Sequence, residues 1–288
     1  MAINQMPLEN LPKLQGRVAF ITGANTGIGQ VTARKLCAMG AHVFVACRNV
    51  TAGQAAIDSI RSAVAGAQIE LLPLDLGDLQ SVRGCAKTFL SRNLPLHLLI
   101  NNAGLAGAKG LTASGFELAF GTNHMGHFLL TQLLLERIEQ SAPARIVTVS
   151  SRAHYRASGL DWAALRQTTA SRVGLVEYSN SKLANALFSA ELARKLVGTG
   201  VTTYALHPGV VATDVWREVP WPFRGLMKLG MISVEQGALT TLHCATAPEC
   251  ASETGLYYDK CRVKTPSAMA QDQTLAAELW QRSEEWAR

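Results

Sequence analysis

Tyr178 and Lys182 are the residues of this sequence whose types and spacing first suggest chemistry. They stand at the two ends of the stretch YSNSK, which continues LANALFSAELARKL. Because the apolar residues that follow keep a helical period, the two side chains should lie one turn apart on one helix face. A tyrosine hydroxyl can give or take a proton, and a nearby ammonium group lowers its pKa. The pair is therefore a candidate catalytic acid and its pKa tuner, with an ordinary solvated helix face as the alternative.

Gly23, Gly27 and Gly29 form a second candidate site in the stretch TGANTGIG. Without side chains, the backbone can approach a pyrophosphate closely, and the first turn of a helix offers it N–H groups. The spacing is G-x-x-x-G-x-G rather than the commoner G-x-G-x-x-G. Tight turns also use glycine, but an apolar run before these glycines and a helical pattern after them favour a dinucleotide-binding loop.

The elements that must position these residues are strands and helices in alternation. Short runs rich in Val, Ile and Leu are too unbroken for half-exposed strands, and helix-like segments such as GQVTARKLCAMG and LQSVRGCAKTFLSR lie between them. This order implies right-handed crossovers, a parallel sheet and ligands beyond the carboxyl ends of the strands. We predict an α/β fold, a single doubly wound Rossmann-type domain over residues 1–288 with helices on both faces of a mostly parallel seven-stranded sheet. The predicted strands are RVAFITG at 17, AHVFVACR at 41, IELLPLD at 69, LHLLINNAG at 97, RIVTVSS at 145, VTTYALHPG at 201 and GLYYD at 255.

Composition excludes several other classes of protein. The chain has 288 residues, of which 48% are hydrophobic, so it can bury a large core. No apolar run approaches the roughly 18 residues of a membrane span, and the opening residues do not resemble a signal peptide, so we expect a soluble cytoplasmic protein without an integral membrane segment. The six cysteines include no C-x-x-C pair, which argues against a zinc site. The net charge is +6, but the basic residues form no run, which argues against nucleic-acid binding.

Five motifs in order resemble the short-chain dehydrogenase/reductase family. They are TGANTGIG, NNAG at 101–104, VSS ending at Ser151, YSNSK and HPG at 207–209, and the match spans nearly the whole chain. Within that family, ACRN, TNHMGHF and GVTTYALHPGVVATD are most similar to the retinol dehydrogenase-like branch and its relative, the WW-domain oxidoreductase. The resemblance implies an oxidoreductase that uses a nicotinamide cofactor.

The resemblance also implies catalytic roles. Tyr178 would exchange a proton with the substrate oxygen, with its pKa lowered by Lys182 and by the positive nicotinamide of the oxidised cofactor. Lys182 would also hold the nicotinamide ribose. Ser151 would hydrogen-bond the carbonyl oxygen, with Ser150 as the alternative, and Asn123 would anchor a water that connects Lys182 to solvent. His124 and His127 have no acidic partner or third ligand, so we expect no metal site.

The cofactor predictions start from the residues after the second strand. NAD-binding relatives carry an acidic residue there, whereas this chain has Cys47, Arg48 and Asn49. Arg48 could grip a 2′-phosphate, so NADP is the expected cofactor, with an ordinary surface arginine as the alternative. Asp75 matches an adenine contact, Asn101 and Ala103 would line the adenosine side, and Thr213 would bond the carboxamide. The full predicted cofactor set is Gly23, Asn25, Thr26, Gly27, Ile28, Gly29, Arg48, Asp75, Leu76, Asn102, Ala103, Gly104, Tyr178, Lys182, Pro208, Gly209, Val211 and Thr213.

Two segments are predicted to border the substrate. Residues 152–177, about twice as long as in the commonest family members, are expected to form a loop beside the substrate mouth, or else a surface insertion without function. Residues around 214–232 are expected to form a lid, and residues around 260–288 a C-terminal extension. The lid is rich in Trp and Met, which favours a lipophilic substrate over core packing or peripheral membrane contact.

Together these features predict an oxidoreductase that moves a hydride between NADP(H) and the carbonyl or alcohol carbon of an apolar small molecule, such as a retinoid-like aldehyde. The alternative is a catalytically silent NADP(H)-binding sensor or scaffold protein. That alternative would tolerate loss of the tyrosine or the lysine, and this chain keeps both. Association into a homo-oligomer stays open.

Overall fold

A computed structural model of the chain describes residues 13–211 and 232–288. Within those ranges the strands form one sheet in the order β3-β2-β1-β4-β5-β6-β7-β8. All neighbours pair in parallel except β8, which is antiparallel to β7. The strands are β1 Val18–Thr22, β2 His42–Cys47, β3 Ile69–Pro73, β4 Leu98–Asn101, β5 Ala144–Val149, β6 Val201–His207, β7 Leu256–Asp259 and β8 Arg262–Val263. The α/β fold and the mostly parallel sheet are confirmed, with one short strand more than the seven predicted.

Several of the helices begin at residues whose side chains satisfy the free N–H groups of a first turn. Asn49 accepts a hydrogen bond from Ala52 N at 2.9 Å, and Asp78 accepts one from Gln80 N at 2.9 Å. Ser233 and Gln236 form a reciprocal capping box. The helices are α1 Gly27–Ala38, α2 Val50–Ala63, α3 Leu79–Leu90, α4 Leu118–Phe120, α5 Gly126–Glu139, α6 Leu175–Lys195, α7 Val234–Thr246 and α8 Gln273–Trp286.

Helices cover both faces of the sheet. On one face, α1, α2 and α7 bury residues such as Leu36, Ile57 and Leu242 against the strands. On the other face, α3, α5 and α6 bury residues such as Phe89, Phe128 and Phe188. The core strands read as continuous apolar runs because each has a helix layer above and below it.

A third apolar cluster attaches α8 to this framework. Leu279 of α8 packs with Phe120 and with Leu183 and Leu187 of α6. Trp280 stacks on Phe188 with ring centroids 5.9 Å apart. The last helix is therefore part of the packed structure, and the prediction that residues 1–288 form one domain stays a prediction.

The order of strands reverses between β1 and β4, and crevices at such points are where ligands bind in open α/β sheets. The glycine loop follows β1, the NNAG stretch includes the end of β4, and Ser150 and Ser151 follow β5. Thr213 and all of the predicted lid except Ile232 lie outside the described residues. Across residues 13–211 and 232–288, no helix is both long enough and apolar enough to cross a membrane.

Candidate active site

Tyr178 and Lys182 lie in the first turns of α6, and both side chains are buried. The Lys182 Nζ atom lies 5.7 Å from the centroid of the Tyr178 ring and donates a hydrogen bond to Val149 O at 2.9 Å. Asn185 Nδ2 donates to the same carbonyl at 3.2 Å. The helical spacing thus brings the pair together, and the end of β5 holds the ammonium group in place.

Burial acts on both members of the pair. It lowers the pKa of Lys182 to about 7, and it raises the pKa of Tyr178, which a hydrogen bond from the Ser151 hydroxyl partly opposes. In the protein alone, removal of the phenolate from water outweighs the hydrogen bond from Ser151, so the pKa of Tyr178 is raised. The predicted lowering of the Tyr178 pKa relied on Lys182 together with the oxidised nicotinamide, so it stays a prediction for the assembled site.

The two serines after β5 have different partners. Ser150 is buried, and its hydroxyl donates to Lys182 O at 2.6 Å, which fastens α6 to β5. Ser151 is partly exposed, accepts a hydrogen bond from Ala153 N at 3.1 Å and bonds to the Tyr178 side chain. Of the two candidates, Ser151 is the one beside the tyrosine hydroxyl.

Asn123 lies in a π-helical turn, Gly121–Met125, between α4 and α5. Its Oδ1 accepts from Leu105 N at 2.9 Å, and its Nδ2 donates to Leu105 O at 3.0 Å and to Ser181 Oγ at 2.9 Å. The amide group therefore joins the loop after β4 to α6. Single π-turns are frequent at functional sites. The role of Asn123 as a water anchor stays a prediction.

The glycine loop packs too tightly for side chains. Gly23 has a φ of 66°, and a Cβ built on it would lie 2.8 Å from Ala103 Cα. A Cβ on Gly29 would lie 2.5 Å from Gly23 O and 2.6 Å from Asn102 Nδ2. The first turn of α1 carries no acidic residue that would repel an anion. The bare loop and the helix N-terminus therefore fit the pyrophosphate of a dinucleotide.

The candidates for the adenosine end lie together at the ends of β2 and β3. Arg48 Nη1 lies 3.9 Å from Asp75 Oδ2, and the Arg48 side chain is 69% exposed, so it is open to a ligand. Asp75 Oδ1 accepts from Gly77 N at 2.9 Å. The Leu76 side chain is buried in the core, so only its backbone could contact a cofactor.

The remaining candidates surround the crevice from both halves of the sheet. A Cβ on Gly104 would lie 3.3 Å from both Asn123 Oδ1 and Lys182 Nζ, so the NNAG stretch passes directly beside the lysine. A Cβ on Gly237 would lie 2.6 Å from Val211 Cγ2 and 3.1 Å from Ile28 Cγ1. Gly237 of α7 therefore lies beside both the start of α1 and the loop after β6. The other candidates lie in these loops, at Asn25, Thr26, Gly27, Asn102, Ala103, Pro208 and Gly209.

Residues 152–174 contain two short 3₁₀ helices, Arg152–Arg156 and Ala164–Arg166, before α6 begins. Leu165 is buried in the third apolar cluster, and Thr169 Oγ1 bonds to the buried carboxylate of Glu117. This segment is therefore anchored to the protein at two points. Its role at the substrate mouth stays a prediction.

Sequence reasoning missed several residues that support the site. Thr22, Ser181 and Asn185 bond to the candidate residues or to their loops, and His127 was considered only as a metal ligand. The position of Thr22 directly before Gly23 was the one available signal. In residues 13–211 and 232–288, His, Cys, Asp and Glu side chains form no group of three or more that could hold a metal ion.

Comparison with known proteins adds a family relationship to this geometry. Residues 17–221 match the short chain dehydrogenase family. Retinol dehydrogenase 11 of Homo sapiens is 43% identical over 275 residues, which cover 93% of this chain and 85% of that protein. The WW domain-containing oxidoreductase of Gallus gallus is 40% identical, with 96% of this chain and 69% of that protein covered.

Solved structures show the same fold. An uncharacterized protein from Mycobacterium Paratuberculosis has a TM-score of 0.79 and 34% identity, with coverage of 98% of this chain and 97% of that one. RhlG of Pseudomonas aeruginosa, solved as an NADP active-site complex, has a TM-score of 0.68 and 27% identity, with coverage of 90% and 98%. The 3-ketoacyl-(acyl-carrier-protein) reductase of Brucella melitensis, solved with NADH, has a TM-score of 0.68 and 22% identity, with coverage of 86% and 97%.

Proposed function

Because the chain belongs to the short chain dehydrogenase family of oxidoreductases, we propose that it moves a hydride between NADP(H) and the carbonyl or alcohol carbon of an apolar small molecule. The main support for the proposal is that three groups lie together at the carboxyl end of β5. The Tyr178 hydroxyl, the Ser151 hydroxyl and the Lys182 ammonium meet there beside the loop that fits a dinucleotide.

Each of these groups has a role that its surroundings support. In carbonyl reduction, Tyr178 gives its proton to the substrate oxygen, and in alcohol oxidation it takes the proton back. Ser151 bonds to the same oxygen and fixes the position of the carbonyl. Lys182 lies beside Gly104, where it can bond a ribose hydroxyl and stabilise the tyrosinate. The nicotinamide ring, when bound, supplies or accepts the hydride.

Asn123 is the fourth member of the proposed machinery. Its amide fixes Leu105 and Ser181, on the two sides of Lys182. We assign to Asn123 the role of holding a water molecule in place. By way of Lys182, this water returns a proton to Tyr178. The pKa of Lys182, lowered to about 7 by burial, suits an ammonium group that passes protons near neutral pH.

Arg48 supports NADP as the cofactor. Its side chain is exposed after β2, where positions 47 to 49 carry no acidic residue, and the neighbouring carboxylate, Asp75, lies 3.9 Å from its guanidinium group. The related solved structures include complexes with NADP and with NADH, so the preference rests on this chain's own residues. The other proposed cofactor contacts are the residues of the glycine loop, Asp75, the NNAG stretch, Pro208, Gly209, Val211 and Thr213.

An apolar substrate is supported by the relatives and by the sequence of the proposed lid. Two of the related proteins are named retinol dehydrogenase 11 and retinol dehydrogenase 12, which makes a retinoid-like aldehyde or alcohol the first candidate class. The apolar residues between positions 214 and 232 suit such a ligand. The predictions of cytoplasmic location and of a homo-oligomer stay predictions.

A single assay tests the proposal. NADPH consumption is followed by absorbance with aldehydes and ketones graded by chain length and ring content, and the reverse reaction is followed with the matching alcohols. We expect turnover that increases with the apolar size of the substrate. Binding of NADPH without turnover of any substrate would support the silent sensor instead, and no binding of either cofactor would overturn both interpretations.

A further inference from the structure

His127 is fully buried on α5 beneath the active site, and each of its ring nitrogens has one partner. Nδ1 lies 2.9 Å from the main-chain oxygen of Asn123, and Nε2 lies 2.8 Å from Thr22 Oγ1. Thr22, at the end of β1, also accepts hydrogen bonds from Asn102 N at 2.9 Å and Ala103 N at 3.0 Å. A histidine thus connects the π-turn to the loop after β4.

The contacts of this histidine allow one arrangement of hydrogens. A carbonyl oxygen cannot donate, so Nδ1 must carry a hydrogen and donate it to Asn123 O. Burial lowers the pKa of His127 to about 4, so the ring is neutral at pH 7 and Nε2 has no hydrogen. Both lone pairs of Thr22 Oγ1 are used by the two backbone N–H groups, so its own hydrogen is free to donate, and Nε2 at 2.8 Å is a much closer acceptor than Ile100 O at 3.5 Å.

From this arrangement we infer that His127, fixed in the Nδ1–H tautomer by Thr22, is a positioning residue for the active site. It holds the peptide of Asn123 on one side. On the other side, through Thr22, it holds the peptides of Asn102 and Ala103. The inference rests on the proposed function, because it assigns a role to a residue that touches neither substrate nor cofactor.

The loop after β4, which Thr22 holds, lies beside Lys182, so a small displacement of this loop would change the surroundings of the lysine. Gly104, the next residue after Ala103, passes so close to Lys182 that a Cβ on it would be 3.3 Å from Nζ. The Asn123 side chain holds Leu105 in the same loop through two hydrogen bonds. Loss of the Thr22 bonds would free the start of this short segment, and loss of the His127 bond would loosen the turn whose Asn123 side chain holds Leu105. We expect the ribose site and the environment of Lys182 to change together.

The tautomer can be measured without any turnover. In a two-dimensional ¹⁵N–¹H spectrum of the labelled protein at pH 7, His127 should show a protonated Nδ1 and an Nε2 without hydrogen. Thr22→Ser keeps the hydroxyl and should preserve this pattern, whereas Thr22→Val removes the donor and should shift the Nε2 resonance. A protonated Nε2 in the unmodified protein would overturn the inference.

The functional consequence is tested with two pairs of variants. Thr22→Val should raise the Kd for NADPH and lower kcat/KM by about tenfold each, because it leaves buried N–H groups unpaired, and Thr22→Ser should restore both. His127→Leu should act like Thr22→Val. His97→Leu is the control, because His97 Nδ1 accepts from Val18 N at 3.0 Å at the opposite end of β1.

The outcomes separate this inference from the proposed function. If His127→Leu and Thr22→Val match His97→Leu in NADPH affinity and in the pH dependence of alcohol oxidation, His127 is only structural and the inference fails. If His127→Leu does not fold, the two Thr22 variants decide the question. If the tautomer is found and the Thr22 variants change NADPH affinity, but no aldehyde is reduced, the proposed function fails alone.

Discussion

At the scale of single residues, burial at the candidate active site disfavours the charged forms of Tyr178 and Lys182. Burial raises the pKa of Tyr178 and lowers that of Lys182 to about 7. A positive charge beside the phenol favours the tyrosinate, so the ammonium form of Lys182 and an oxidised nicotinamide act in the same direction. The proposed mechanism therefore needs the assembled site and not the tyrosine alone.

Tyr178→Phe tests the proton donor. The change removes one hydroxyl from a buried ring, so we expect kcat to fall by about a hundredfold to ten-thousandfold while the Kd for NADPH stays nearly the same. Steady-state rates and a binding titration measure the two quantities. Tyr155→Phe is the matched control, because the exposed Tyr155 hydroxyl bonds to Thr265 O. Activity of Tyr178→Phe within a factor of about five of the parent would end the assignment.

Lys182→Met tests the pKa tuner. Without the ammonium group, the tyrosinate loses a favourable neighbour, so the pKa of Tyr178 should rise and alcohol oxidation should begin at higher pH. The lost ribose contact should weaken NADPH binding as well. A pH profile of kcat/KM for alcohol oxidation checks the first effect, and an unchanged profile would count against the tuning role.

Arg48→Ala tests the choice of cofactor. A charge-assisted contact with a 2′-phosphate is worth about 1.5 to 3 kcal/mol, so kcat/KM with NADPH should fall by about tenfold to a hundredfold. The value with NADH should hold steady or rise. Arg92→Ala is the control, since Arg92 is also exposed and its Nη2 lies 3.6 Å from Glu70 Oε2. A parent protein that already prefers NADH would make Arg48 an ordinary surface arginine.

The structure also shows why Arg48 is best changed alone. An acidic residue at position 47 would match the usual NAD pattern, but Cys47 is buried at the end of β2. A Cβ on Gly53 would lie 2.7 Å from Cys47 Sγ, so this side chain faces α2. A carboxylate there would be buried against the helix and would disturb folding.

The candidate residues that the fold brings together could be picked out from the sequence, but their electrostatics could not. Tyr178, Lys182 and Ser151 stand in short motifs whose spacing is visible in the sequence. The direction of the Tyr178 pKa shift depends on how much water the folded chain excludes, which no local spacing reports. The contact between Thr22 and His127 joins residues 105 positions apart, so only the fold reveals it.

At the scale of elements, α8 covers aromatic side chains of α5 and α6. The Trp280 ring stacks on Phe188 and lies edge-on to Phe128, with centroids 5.9 and 5.1 Å apart. Lys195 Nζ lies 4.7 Å from the same ring. The C-terminal extension predicted from the sequence therefore packs in this region as part of the core.

Trp280→Ala tests this role of α8. Removal of a buried tryptophan leaves a cavity, so the free energy of unfolding should fall by about 3 to 5 kcal/mol. Urea denaturation followed by circular dichroism measures the change. Gln281→Ala, next along the same helix but exposed, should change stability by less than about 0.5 kcal/mol. Equal stability of the two variants would mean that α8 is only loosely attached.

Seven of the strands could be predicted from the sequence, whereas the last strand and the π-turn could not. β1 to β7 were predicted because their residues form apolar runs buried between two helix layers. β8 was missed because it has two residues, Arg262 and Val263, both exposed, and it is defined only by pairing with β7. The π-turn at Gly121–Met125 has no sequence signature in this chain, since it depends on one extra residue within a helix.

At the scale of the whole molecule, the parallel sheet brings together residues that are far apart in the chain. The loops after β1, β4 and β5 open on the same edge, so Gly23, Ala103 and Ser151 become neighbours of one crevice. The same compact packing buries several histidines, of which His207 interacts with the Asp259 carboxylate. Burial lowers the pKa of His124 to about 3, of His127 to about 4 and of His207 to about 4.

These histidines predict that acid destabilises the whole protein. In the unfolded chain each histidine takes up a proton near its ordinary pKa of about 6.5, whereas in the folded protein it stays neutral down to about pH 4. The unfolded state therefore binds more protons in this window, and each histidine removes up to about 1.4 kcal/mol of stability per pH unit as the pH falls. Glu117 acts in the opposite sense, since burial raises its pKa, but it is a single group against three.

Urea denaturation at pH 7.0 and at pH 5.5 measures this loss, and we expect a fall of a few kcal/mol between the two. His124→Leu should reduce the slope of stability against pH by about one proton, because its buried ring contacts Ser283 and aromatic side chains. His42→Leu is the control, since His42 is partly exposed and its Nε2 lies 2.9 Å from Glu70 Oε1. Equal free energies of unfolding at the two pH values would show that the buried histidines can take up protons without unfolding, and that the core beneath the active site is open to water.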